Sequence, residues 1–276
     1  MLKKNIAAVL CSLTAAMALV SCGEKSISIS ESTSKEQAAG SSSESSEAAS
    51  DEGSSEAETE NSSGRTAFGE VVSNFTAPED GEKIVVMTVK DYGDVKFKLF
   101  PEYAEKGVEN FISLVEEGYY DGLIFHRIIN NFMIQGGDPT GTGRGGECIW
   151  GSKFDGGTDP HLIHAAGALA YANSGSTATN GSQFYIVTGQ TFTEEQFDPS
   201  YPKAAKEAYL KAGGYPWLDG NYTVFGQVID GLDIVFELQQ VATDSSDKPT
   251  KDVVIESMKV AEYNGEELKW YITDYK

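Results

Sequence analysis

The chain has 276 residues, a formal net charge of −21 and a pI of about 4.4. So acidic a chain lacks the basic face that a phosphate backbone requires, which argues against nucleic acid as a partner. Its length allows one large domain or two small ones with enough core to fold unaided. Of its three cysteines only Cys148 lies beyond the N-terminal segment, so no intramolecular disulfide is expected there.

Residues 1–22 read as a secretion signal. Lys3 and Lys4 form a positive start, Ile6 to Val20 is apolar, and small residues precede Cys22. The apolar run is short for a membrane span, which needs about 20 residues. Leu19-Val20-Ser21-Cys22-Gly23 resembles a bacterial lipobox. That resemblance implies cleavage before Cys22 and a lipid on its sulfur, anchoring the chain without spanning the bilayer. The alternative is an ordinary cleaved signal with an incidental cysteine. Residues 23–66 are Ser, Glu, Ala and Gly with almost no large apolar side chain. They cannot bury enough surface to offset their ordering entropy, so a disordered tether is expected.

The folded domain is assigned to 67–276. Phe68, Val71, Val72 and Phe75 suggest a short lead-in element. Lys83 to Lys90 is rich in β-formers, and Val95 to Leu99 alternates with period two; with Tyr92-Gly93-Asp94 between them they predict a hairpin. Pro101 suits the first turn of a helix, and Val108, Phe111, Ile112 and Val115 give it one apolar face, ending near Gly118. Two strands are predicted around Asn130-Asn131. Gly141-x-Gly143-x-x-Gly146 matches a dinucleotide fingerprint on paper, but no helix pattern follows, so 136–157 reads as a surface loop. Strands are predicted at 165–171, 182–188, 222–229 and 251–261, and a second core helix at 231–241. Between 190 and 216 an alanine-rich piece carries Ala204, Ala205, Ala208, Tyr209 and Ala212 on one helical face. Many short strands with two well-formed helices point to an all-β barrel or sandwich.

The densest stretch is Tyr120-Asp121-Gly122-Leu123-Ile124-Phe125-His126-Arg127-Ile128-Ile129-x-x-Phe132-Met133-x-Gln135-Gly136-Gly137-Asp138. An arginine in so apolar a run needs a partner or a ligand, because a buried unpaired guanidinium costs several kcal/mol. This stretch resembles the signature of the cyclophilins, the peptidyl-prolyl cis-trans isomerases. So do Leu169-x-x-Ala172-Asn173, Asn180-Gly181-Ser182-Gln183-Phe184, Trp217-Leu218-Asp219-Gly220 and Val224-Phe225-Gly226, in the family's order. The resemblance implies an eight-stranded antiparallel closed barrel capped by two α-helices, here with an extra helical insertion.

It also implies roles. Arg127 would donate to the prolyl nitrogen as the amide twists, with Gln135 orienting it. Phe132, Met133 and Leu218 would line the proline pocket. Ala172, Asn173 and Gln183 would bind the peptide, with His126 a structural neighbour of the pocket and no proton carrier. Tyr185 stands where a phenylalanine usually floors the pocket, and its hydroxyl needs a partner. Tyr222 replaces a common histidine and is expected to keep a polar edge. Trp217 matches the tryptophan that favours cyclosporin, so cyclosporin binding is expected. Proline-containing polypeptides are the implied partners of a monomer needing no cofactor or metal, on the outer face of the cell membrane. Cys148, His161 and His164 are too dispersed to suggest zinc.

Two rivals remain. A proline-binding chaperone would use the same pocket without turnover, and a lipoprotein solute receptor would need a two-lobed α/β pattern that is absent. The 190–216 insertion is expected to be a tolerated surface addition; the sharper reading is a flap beside the pocket.

Overall fold

The computed structural model describes residues 68–275. The expected signal segment, the lipidation site Cys22 and the tether lie outside them. Eight strands form one antiparallel sheet: β1 (Lys83–Val89), β2 (Gly93–Leu99), β3 (Arg127–Ile129), β4 (Met133–Gly136), β5 (Ala168–Tyr171), β6 (Phe184–Val187), β7 (Val224–Asp230) and β8 (Ile255–Glu262). Their order is β3-β4-β6-β5-β7-β2-β1-β8. Three helices accompany them: α1 (Pro101–Glu116), α2 (Lys203–Ala212) and α3 (Leu232–Leu238).

The β1–β2 hairpin turns through Lys90-Asp91-Tyr92, with Asp91 at φ 68° and Gly93 at φ 127°. Such positive φ values are what a short hairpin loop requires. In α1, Pro101 occupies the first turn, where its missing N–H costs nothing. Val108, Phe111, Leu114 and Val115 face inward, whereas Ile112 is only partly covered, so the apolar stripe is rotated slightly from the predicted one. Gly118, at φ 68°, ends the helix by the left-handed route that glycine permits.

The sheet curls around rings from both α1 and the strands. Phe225 lies 4.4 Å from Tyr171 and 5.0 Å from Phe111, centroid to centroid, and all three are fully buried. One polar knot sits among them. The Asn110 amide donates to the Tyr171 hydroxyl and the Gly181 carbonyl, and its oxygen accepts from the Ile149 N–H. Burying an amide so deep is tolerable only because it is fully partnered.

The expected closed barrel is instead a curled half-barrel. No ladder joins the edge strands β3 and β8 among the described residues. The chain just before β3 meets the chain entering β8 through a single bridge, Ile124 to Val254. Phe125 N–H donates to the Val253 carbonyl there, and Gly122 N–H to that of Ile255. Three-residue β3 is too short to do more.

The lead-in forms no regular element. Val72 and Phe75 dock on a satellite core built by Ile163, Ala205 and Tyr209, while Val71 stays exposed. The insertion does contain the expected helix, α2, whose buried residues are Ala205 and Tyr209. Its two ends are zipped together by mutual Gln190 and Gly214 backbone hydrogen bonds, each 2.9 Å.

Candidate active site

Period-two alternation builds the site. Ile128, Ile134 and Ile186 point into the main core from β3, β4 and β6. Their neighbours therefore emerge on the other face. Arg127 pairs with Gln135 and Gln135 with Tyr185 as cross-strand partners, so three predicted residues form one row across three strands. Phe132 sits in the β3–β4 turn, where Asn131 adopts φ 58° and its N–H is held by Gln239 Oε1 at 2.9 Å. Met133 follows on β4.

These side chains line a cavity of about 190 Å³ with Ala172, Asn173, Leu218 and Tyr222. Nine predicted residues thus converge on one cavity. A neighbouring cavity of about 320 Å³ shares Gln135, Ala172 and Asn173 and adds Gln183, Arg144 and Lys153. A larger one, about 550 Å³, lies by the β1–β2 turn and the end of α3 and touches none of them. The chemistry-bearing side chains decide between these, and volume does not.

Arg127 is not sunk in the apolar wall. Its side chain is 42 % exposed, and its Nε lies 3.5 Å from Asp247 Oδ2. Asp247 belongs to the loop before β8, and its carbonyl accepts the Ile128 N–H. Sequence reasoning missed this partner. The expected bond from Gln135 to Arg127 is not made. Gln135 donates to Gln183 Oε1 at 2.9 Å, and Gln183 in turn donates to the Gly145 carbonyl at 2.8 Å. Gln135 is thus fixed from the glycine-rich loop.

That loop is organised by Asp138. Its carboxylate accepts N–H groups from Thr140, Thr142, Arg144 and Gly145 at 2.8 to 3.2 Å. Burial pushes the Asp138 pKa up, but the donors, Thr140 first, outweigh it and hold the group down at about 2. A Cβ at Gly145 would overlap that carboxylate. The loop that mimics a dinucleotide fingerprint therefore wraps an anion belonging to the chain itself.

His126 is buried and does not line the cavity; neither ring nitrogen has a hydrogen-bond partner among the described groups. Burial lowers its pKa. The Tyr185 hydroxyl also lacks the partner it was expected to find, and burial pushes its pKa up. Its ring stands edge-on to Tyr222 at 5.8 Å. Asn173 has its side chain engaged locally, donating to the Asn221 carbonyl and accepting from Gly175 N–H. Trp217 does not line the cavity; it stands beside Tyr215, 63 % exposed. Cys148, His161 and His164 have separate partners: Gly151, Asp159 and Asp219.

The insertion is pressed against the site. Tyr215 packs on Phe132 with centroids 4.6 Å apart. Tyr209 of α2 donates to Asp219 Oδ2 at 2.7 Å, while Asp219 Oδ1 accepts from the His164 backbone N–H and faces its Nδ1 at 2.8 Å. Asp219 directly follows Leu218. The insertion is thus packed against the pocket region through Tyr215 and tied to the segment after Leu218 through Tyr209.

The family model of the cyclophilin type peptidyl-prolyl cis-trans isomerases matches residues 84–260. A Staphylococcus aureus (strain USA300) protein carrying the name of a peptidyl-prolyl cis-trans isomerase is 48% identical over 189 residues, 67% of this chain and 94% of that protein. A Staphylococcus epidermidis relative with that name is equally similar. The crystal structure of a Cryptosporidium parvum cyclophilin type isomerase superposes with a TM-score of 0.55 at 35% identity, covering 66% of this chain and 98% of that one. The same cyclophilin in the presence of the dipeptide Ala-Pro gives 0.54 at 36% identity, covering 65% and 99%. With its sheet, its signature residues and these likenesses, the chain belongs to the cyclophilin-type peptidyl-prolyl cis-trans isomerases.

Proposed function

We propose that the 190 Å³ cavity is where the prolyl bond turns, and that the chain acts as a membrane-tethered monomer on secreted or surface polypeptides. The observation that carries the site is the row Arg127, Gln135, Tyr185 beside Phe132 and Met133. A twisting amide must cross a barrier of about 18–20 kcal/mol set by resonance. Rotation needs no nucleophile, metal or cofactor. Phe132, Met133 and Leu218 hold the proline ring, and the acyl part swings over the Gln135 and Asn173 rim. The guanidinium of Arg127 donates to the nitrogen lone pair, which localises only as the amide leaves planarity. That interaction is stronger in the transition state than in the ground state, the condition for acceleration. Asp247 keeps the guanidinium at the rim. The Ala-Pro dipeptide used with the Cryptosporidium parvum structure supports a proline-containing partner.

Binding is tested by titrating a short X-Pro peptide, and separately cyclosporin, while following backbone amide signals. Shifts should centre on Arg127, Gln135, Ala172 and Asn173, with line widths of a single copy. Shifts confined to another face would remove this reading. The lipobox-like stretch around Cys22 supports lipid anchorage. Cys22→Ser should move the protein from the membrane fraction to the medium; unchanged fractionation would exclude a lipid on that sulfur.

A further inference from the structure

We propose that the 190–216 insertion adds an aromatic subsite to the prolyl pocket, one that selects an aromatic side chain next to the proline of the substrate. This rests on reading the 190 Å³ cavity as the prolyl site.

Three rings form a ledge. Trp217 lies 5.1 Å from Tyr215 and 6.0 Å from Phe192, centroid to centroid. Tyr215 in turn touches Phe132, which lines the cavity. The ledge is thus continuous with the pocket, and a chain whose proline sits against Phe132 carries its neighbouring side chain over Tyr215 and Trp217. That continuity identifies the occupant as part of the same substrate. Two of the three rings, Phe192 and Tyr215, come from the insertion.

The ledge is also held rigid. Tyr215 N–H donates to the His164 carbonyl at 2.8 Å, and Leu218 N–H to the Tyr215 carbonyl at 3.1 Å. Gly214 bridges both Ala165 and Gln190. Behind it, the Tyr209 hydroxyl is tied to Asp219. A preformed surface binds without the cost of ordering itself. Yet Trp217 is 63 % exposed, a large apolar face left open beside Tyr215. Rings packing offset or edge-on against it match the ligand chemistry that such a surface favours.

The test compares three peptides of equal length: alanine on both sides of proline, phenylalanine before it, and phenylalanine after it. For each, kcat/KM is measured by exchange NMR relative to its uncatalysed rate. One phenylalanine peptide should exceed the alanine peptide by about three- to tenfold. Tyr215→Ala and Trp217→Ala should bring that ratio close to one, while Tyr215→Phe keeps it. A ratio is the right readout, since any unfolded fraction lowers all three rates alike. Equal turnover of the three peptides by the wild-type chain would overturn the proposal. So would a preference that survives the loss of both rings. If the wild-type chain turned over none of them, or Arg127→Ala were as fast, the prolyl-site reading itself would fall, and the subsite with it.

Discussion

Arg127→Ala should lower kcat/KM for an X-Pro peptide by about 10²- to 10³-fold, the cost of removing one preorganised donor aimed at developing charge. The melting temperature should stay within about 4 °C, because little stability is at stake. The Arg127 side chain is half exposed, and its ion pair with Asp247 spans 3.5 Å with both groups reaching solvent. Pairs of that kind contribute at most about 1 kcal/mol. The two readouts separate chemistry from folding. Arg127→Lys sharpens the test, since lysine keeps the charge and loses the rigid planar fork. It should recover only part of the rate. A variant that still binds peptide but no longer turns it would match the assigned role. An Arg127→Ala chain with the wild-type rate would mean that catalysis resides elsewhere, and the row across β3, β4 and β6 would be a binding surface only.

Much of this site was legible because its residues are packed densely in sequence. Within the strands core and site residues alternate, Arg127 before Ile128 and Met133 and Gln135 around Ile134, and the cross-strand register then sets Arg127 beside Gln135. Helix α1 was legible from its 3.6-residue stripe. What escaped has a common cause: it depends on long-range placement. Asp247 reaches Arg127 from 120 residues away, and nothing local marks it. The half-open sheet turns on how 122–125 meets 253–255, which no periodicity reports. Gln135 lines the cavity but is bonded to Gln183 and not to Arg127, because sequence supplies side-chain types and leaves their rotamers undetermined. The insertion did carry a usable signal. Phe192, Phe197, Tyr201, Tyr209 and Tyr215 are too many rings for a solvated loop; the first four close a satellite core, and Tyr215 packs on Phe132 of the pocket.

Asp138→Asn should cost about 2 kcal/mol of stability at pH 7, and that deficit should fade as the pH falls through 2. The magnitude follows from the pKa. It falls from an ordinary 3.8 to about 2 on folding, and each unit is worth 1.36 kcal/mol. Because the folded value is the lower one, the stabilisation is complete above pH 3.8 and is lost as the pH falls from there toward 2. Other carboxylates titrate in the same range, but they titrate alike in both proteins and cancel in the difference. The geometry explains why asparagine cannot substitute. Every group facing the two carboxylate oxygens is a donor: four backbone N–H groups and the Thr140 and Thr142 hydroxyls. An amide would turn its NH₂ toward some of them and leave those donors unpaired in a site that is 1% exposed. Urea unfolding at pH 7, 4 and 2.5 measures the gap. A gap that does not change with pH would show that packing, and not the charge, holds the loop. The same substitution should reach the active site. The loop carbonyl of Gly145 holds Gln183, and Gln183 holds Gln135 at the cavity rim. Loosening the loop should therefore raise KM for an X-Pro peptide with less effect on kcat, since Arg127 is fastened separately, from Asp247. A fall in kcat with KM unchanged would instead place Gln135 in the turning step itself.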